Sequence, residues 1–132
     1  ILGEEYVPGP YKPEQIEALL KRLCKLGPSK AVLTGIYYDD ASLGAAAYDA
    51  DKNEMYYYAN KKLPGYYHGT GDIFASVLLS ALLNNKTLEE SIKAAVDFII
   101  DCIISTQEND PEDMIYGVRF EKNLGKLAKL ID

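Results

Sequence analysis

The sequence lacks a basic cluster. Its 14 lysines and arginines are outnumbered by 20 aspartates and glutamates, which leaves a net charge of -6. Neutralising a nucleic-acid backbone needs dense positive charge, and so does holding an anionic membrane surface. Neither is an expected partner. No apolar run reaches the roughly 18 residues that a membrane span requires. Cysteine is scarce. Cys24 and Cys102 lie far apart and both fall in helical patterns, which argues against a disulfide framework or a zinc site and for reduced thiols in a cytoplasmic protein. No Met precedes Ile1-Leu2-Gly3, and no targeting pattern follows; Met occurs only at positions 55 and 114. The chain therefore reads as part of something longer. Internal repeats and low-complexity tracts are missing as well.

What remains is a chain of 132 residues, 48% hydrophobic and 26% charged. That composition excludes a disordered or fibrous protein, and the length suits one domain rather than two. After an irregular lead-in at 1–12, Pro13 fits a first helical position. Ile16, Leu19, Leu20, Leu23 and Leu26 then recur at helical spacing until Gly27-Pro28, which predicts an amphipathic helix over 13–26. Ala31-Val32-Leu33 reads as a short buried strand that runs into a loop at Thr34-Gly35. Helix, tight turn and buried strand make half of a βαβ unit and point to the α/β class. Strands are expected at 42–49 and 54–60, joined as a hairpin by the turn-rich Asp49-Ala50-Asp51-Lys52-Asn53. Tyr56-Tyr57-Tyr58 suits the second of them, with tyrosines alternately buried and exposed.

From Ile73 to Leu83 the chain is apolar nearly all round, the pattern of a helix buried in a domain centre. Thr87-Leu88-Glu89-Glu90 is a capping box opening another helix, with Leu88, Ile92, Ala95, Val96, Ile99 and Ile103 as its stripe. Residues 107–113 read as an acidic loop. Glu108, Asp110, Glu112 and Asp113 lack the regular spacing of a metal site and read as solvated. A last helix is expected at about 120–131. Cys24 and Cys102 read as small core residues.

The chemistry concentrates in Gly69-Thr70-Gly71-Asp72. Glycines let the backbone turn tightly and let a ligand approach the main chain. The first N–H groups of the following helix have no internal partner, and with the helix dipole they favour an anion. A carboxylate beside such donors suits phosphoryl transfer: the amides hold charge on the transferring group while the carboxylate accepts a hydroxyl proton. On spacing alone the segment fits an ordinary helix start with an acidic cap better than it fits a site. It is neither a Walker loop nor a dinucleotide Gly-x-Gly-x-x-Gly. His68, the only histidine, reads as a loop residue with a positioning role. Tyr37-Tyr38-Asp39-Asp40 fits either a nucleotide flank or a solvated loop.

The stretch from Tyr67 to Ser76 resembles the signature near the C-terminus of the ribokinase-like small-molecule kinases. The wider match, from Leu2-Gly3-Glu4-Glu5-Tyr6 through Ala31-Val32-Leu33-Thr34-Gly35 to Phe98, resembles their pyridoxal/pyridoxamine kinase branch. The resemblance implies a three-layer α/β/α fold, with residues 1–132 as the C-terminal portion of one kinase domain. It implies Gly69, Thr70 and Gly71 as the anion hole, Asp72 as the catalytic base, and Thr34 and Gly35 as contacts to nucleotide phosphates. The related hydroxymethylpyrimidine kinases often carry Cys where this chain has Asp72. ATP and Mg2+ are the implied cofactors, a B6 vitamer the implied substrate, and a homodimer the implied assembly of the full-length protein. The magnesium motif and most substrate contacts of the family lie upstream of Ile1, so no metal ligand is assigned here. The alternatives are a hydroxymethylpyrimidine kinase or a non-catalytic nucleotide-binding fragment, and the chain alone is expected to be inactive.

Overall fold

The structure is a computed structural model that describes residues 1–65, 67–109 and 117–132. Its elements run α1 (Pro13–Cys24), β1 (Lys30–Ile36), β2 (Ser42–Asp49), β3 (Glu54–Lys61), α2 (Thr70–Leu83), α3 (Leu88–Asn109), a 3-10 turn (Glu121–Asn123) and α4 (Leu124–Ile131). They group into two compact units, Ile1–Lys62 and Leu63–Asp132.

In the first unit the strands form an antiparallel sheet in the order β1-β2-β3. The central strand, β2, places Ala45, Ala46, Ala47 and Tyr48 out of solvent. α1 lays Ile16 and Leu20 on this sheet, in one cluster with Ile36, Ala46 and Tyr48. Local chemistry sets the β2–β3 turn. The Asp49 carboxylate, itself buried, accepts the amides of Asp51 and Lys52 at 3.0 and 3.2 Å. The Tyr48 hydroxyl donates to Asn53 Oδ1 at 2.9 Å, and Asn53 takes the left-handed conformation that a tight turn requires. α1 ends two residues before its expected limit, because Leu26 and Gly27 donate to the carbonyls of Leu23 and Cys24 in a tightened last turn.

β1 departs from the expectation. Residues 31–33 are half-buried, and the strand continues through Thr34-Gly35 to Ile36 instead of entering a loop. The reason lies in the ladder. Gly35, at φ 68°, is absorbed as a bulge where the register shifts between Thr34 and Ile36. Among the described residues β1 is an edge strand, hydrogen-bonded to β2 alone. Among the described residues the sheet holds no parallel pair.

In the second unit α2 packs on α3. α2 buries Phe74, Val77 and Ala81, and α3 buries Leu88, Ile92, Ala95, Val96 and Phe98 among others. The capping box is formed as read: Thr87 N–H donates to Glu90 Oε2 at 2.8 Å, and Glu90 N–H to Thr87 Oγ1 at 3.1 Å. Those bonds hold the Glu90 carboxyl below its usual range. α2 is not buried on all sides. Leu79 and Leu83 are 57% and 73% exposed, because α3 covers one flank of a helix whose composition would let any flank be covered. α3 runs through Gln107–Asn109, where the sequence suggests a loop. Its polar last turn is tied down by Asn109 Nδ2, which donates to the Ser105 carbonyl at 2.8 Å, and by contacts of Gln107 described below. Of the four acidic residues at 108–113, Glu108 is thus helical and exposed; Asp110, Glu112 and Asp113 lie outside the described residues. No helix among those described is long and apolar enough to cross a membrane.

Both cysteines are free thiols. Cys102 is fully buried, and burial, reinforced by the Asp101 charge, pushes its pKa from 9.0 to about 11. Folding therefore favours the neutral thiol. The unfolded chain releases this proton first as pH rises, so the contribution of Cys102 to stability is complete below pH 9 and is lost as pH climbs towards 11. Denaturant midpoints should fall across that window, and Cys102→Ser should flatten the fall. At neutral pH, 5,5′-dithiobis(2-nitrobenzoate) should label Cys102 only on unfolding.

Candidate active site

The Gly69–Asp72 segment enters α2 by a bend that only glycine adopts without strain. Gly69 caps the helix at φ 80°, in the left-handed region. It carries no side chain to cap the helix, and the first helical bond is donated by Ile73 N–H to the Gly69 carbonyl at 3.1 Å. The amides of Thr70, Gly71 and Asp72 thus precede the first donor of the helical ladder. Asp72 is the third residue of α2, in the first turn, where the positive end of the helix dipole favours a carboxylate. The helix begins three residues earlier than its apolar run, so the whole segment after Gly69 belongs to its first turn.

The bend faces open space. Gly69, Gly71 and Asp72 are exposed, and among the described residues a Cβ built on either glycine would meet nothing within 4 Å. A group the size of a phosphate can approach the main chain there. Thr70 directs its hydroxyl back to the Tyr67 carbonyl at 3.3 Å, so its contribution to an anion is its amide. The Asp72 carbonyl accepts the Ser76 hydroxyl at 2.8 Å.

Sequence contiguity brings Gly69, Thr70, Gly71 and Asp72 together. Thr34 and Gly35 belong to the first unit, on β1, and both are exposed. Tyr37 and Tyr38 have aromatic neighbours of their own: Tyr37 meets Tyr11 edge-on at 5.6 Å, and Tyr38 lies 4.3 Å from the Tyr57 ring. Burial raises the phenol pKa of Tyr38 and Tyr57. Among the described residues no group of three His, Cys, Asp or Glu side chains is placed to hold a metal ion.

The sequence reading missed Gln107, which bonds the Tyr67 hydroxyl just ahead of the bend, and Thr106, which accepts the Arg119 amide. Their contacts cross to segments distant along the chain, and no local pattern signals them.

A model of the phosphomethylpyrimidine kinase family matches residues 8–115, well over half of the chain. The chain belongs to that family. Solved structures agree. A phosphomethylpyrimidine kinase of Bacteroides thetaiotaomicron superposes with a TM-score of 0.83 at 27% identity, over 89% of this chain and 40% of its own. Its orthorhombic form, which contains pyridoxal, gives a TM-score of 0.82 at 28% identity, over 89% of this chain and 42% of its own. The pyridoxal kinase of Lactobacillus plantarum gives 0.77 at 25% identity, over 87% and 41%. The family member described here therefore spans about two-fifths of the solved proteins it matches. No curated protein sequence matches it. The fold is accordingly mixed α/β of the ribokinase-like kind, and the family is one of phosphotransferases.

Proposed function

We propose that the chain is the phosphate-handling portion of an ATP-dependent kinase that phosphorylates the 5′-hydroxymethyl group of pyridoxal, pyridoxamine or pyridoxine. One observation carries this reading. The Gly69 bend leaves three leading amides outside the helical ladder, and the exposed Asp72 stands beside them in the first turn of α2. Asp72 takes the proton of the attacking hydroxyl as its oxygen bonds to the γ-phosphorus and the bond to the leaving diphosphate breaks. The amides of the 69–71 segment stabilise the charge on the transferring phosphoryl. A carboxylate suffices as base when the transition state is loose and the proton leaves late. Thr34 and Gly35 are assigned to nucleotide phosphates on the family resemblance. Magnesium would neutralise phosphate charge at such a site.

The B6 choice is supported by Asp72 and by the pyridoxal in a related crystal. The name of the family supports a second reading, a hydroxymethylpyrimidine kinase. The length ratio supports a third, that this piece binds nucleotide but turns over only with a complementing segment. A substrate panel separates them. With ATP and magnesium, kcat/KM for a B6 vitamer should exceed that for hydroxymethylpyrimidine by at least about tenfold, the discrimination expected when a polar contact is lost. The reverse order would overturn the B6 reading. ATP binding without turnover of either substrate would make the piece non-catalytic by itself.

A further inference from the structure

Among the described residues, nothing lies within 4 Å of a Cβ built on either glycine of the bend. Their orientation must therefore come from the segments on either side. Downstream, α2 is held through Phe74, Val77 and Ala81. Upstream, the fixed point is Tyr67. Its ring is 7% exposed, its hydroxyl donates to the Pro64 carbonyl at 2.8 Å, and it accepts a hydrogen bond from Gln107 Nε2 on α3. Gln107 Nε2 also lies 3.4 Å from the Pro64 carbonyl. The Tyr67 backbone passes this anchorage on, because its carbonyl receives the Thr70 hydroxyl from the first residue of α2. The next residue of α3 inward, Thr106, accepts the Arg119 amide at 3.0 Å, and the Gly117 backbone lies close against the His68 carbonyl. The end of α3 thus grips the approach to the bend.

We infer that Tyr67 and Gln107 are positioning residues: their hydrogen bond ties the lead-in of the anion-binding bend to α3 and so aims the amides of residues 69–71. The inference rests on the phosphate-handling role proposed above for this bend. Electrostatic stabilisation depends on donors already aimed before the charge develops, and a displacement of about 1 Å in such a group can cost about a hundredfold. Without the link, the segment between Tyr67 and Ile73 pivots at Gly69 and Gly71.

The test uses the isotopically labelled 132-residue chain and inorganic phosphate, followed through the amide signals of Gly69, Thr70 and Gly71. Wild type should show saturable shifts at these amides. Tyr67→Phe, which keeps the ring, and Gln107→Ala should each weaken phosphate binding about tenfold, the worth of one hydrogen bond in a partly buried setting. The double variant should lose less than the sum of the two single losses, because both remove the shared Tyr67–Gln107 bond. Ile92→Val, a core change of comparable thermal cost, should leave phosphate affinity unchanged. The inference is overturned if wild type shows no shifts at these amides, if Tyr67→Phe binds phosphate within about twofold of wild type, if the two losses add, or if Ile92→Val weakens binding equally. The substrate panel is independent of these titrations. A kinase that prefers the pyrimidine defeats the B6 reading and leaves the phosphate result to decide the positioning role.

Discussion

On the base role proposed for Asp72, Asp72→Asn should lower kcat by at least about a hundredfold in any active kinase that contains this segment, because a positioned general base typically contributes 10² to 10⁴. The change is close to isosteric. It keeps the third position of α2, leaves the Ser76 hydroxyl bonded to the residue 72 carbonyl, and removes only the charge and the proton-accepting oxygen. The structural cost is confined to a carboxylate's interaction with the helix dipole, about 0.3 to 1 kcal/mol at an exposed position. Turnover should therefore collapse while the melting temperature moves by a few degrees and KM for ATP changes little. A fall in kcat smaller than about tenfold would remove Asp72 from the base role. Gly71→Ala is the natural companion. Gly71 lies inside the first turn of α2, where alanine is favoured over glycine by up to about 1 kcal/mol, and the added methyl meets no atom of the described residues within 4 Å. That methyl enters the space a phosphate would occupy. The variant should be as stable as wild type or more so, yet bind ATP more weakly.

What the sequence revealed, and what it concealed, divides along the range of the interactions. The β2–β3 hairpin was legible because its determinants, Asp49, Asp51, Lys52 and Asn53, bond within a few residues of one another. The Thr87–Glu90 box was legible for the same reason. So was the 69–72 bend, whose glycines, amides and carboxylate are consecutive. Three features depend on partners that a local pattern does not contain. Which flank of α2 is covered depends on α3, and the uniformly apolar run from Ile73 to Leu83 gives no preference; the outcome leaves Leu79 and Leu83 in solvent. Thr34-Gly35 resembles a strand end, but pairing with β2 carries the strand past it through a bulge. Gln107 resembles loop sequence, and its position on α3 becomes meaningful only through Tyr67, 40 residues earlier.

Gly44→Ala should be the most damaging single-methyl change in the first unit. Gly44 lies in the central strand between Ile36 of β1 and Ala59 of β3. A Cβ built there would stand 2.0 Å from the Tyr58 carbonyl oxygen and 2.6 Å from the Ala59 Cα. Both are backbone atoms of a hydrogen-bonded strand, so no rotamer change relieves the clash. A lone glycine inside a strand pattern often marks such a close approach. Relief would require β2 and β3 to separate, and their ladder pairs Ser42 with Lys61 through Asp49 with Glu54. Overpacking in interiors commonly costs about 1 to 3 kcal/mol, and an immovable neighbour places this case at or above the upper end. A domain of this size has about 5 to 15 kcal/mol in all, and each kcal/mol shifts melting by several degrees. The variant should melt about 10 °C or more below wild type, or fail to accumulate in soluble form. Melting within about 3 °C of wild type would mean that the strands do not approach one another this closely.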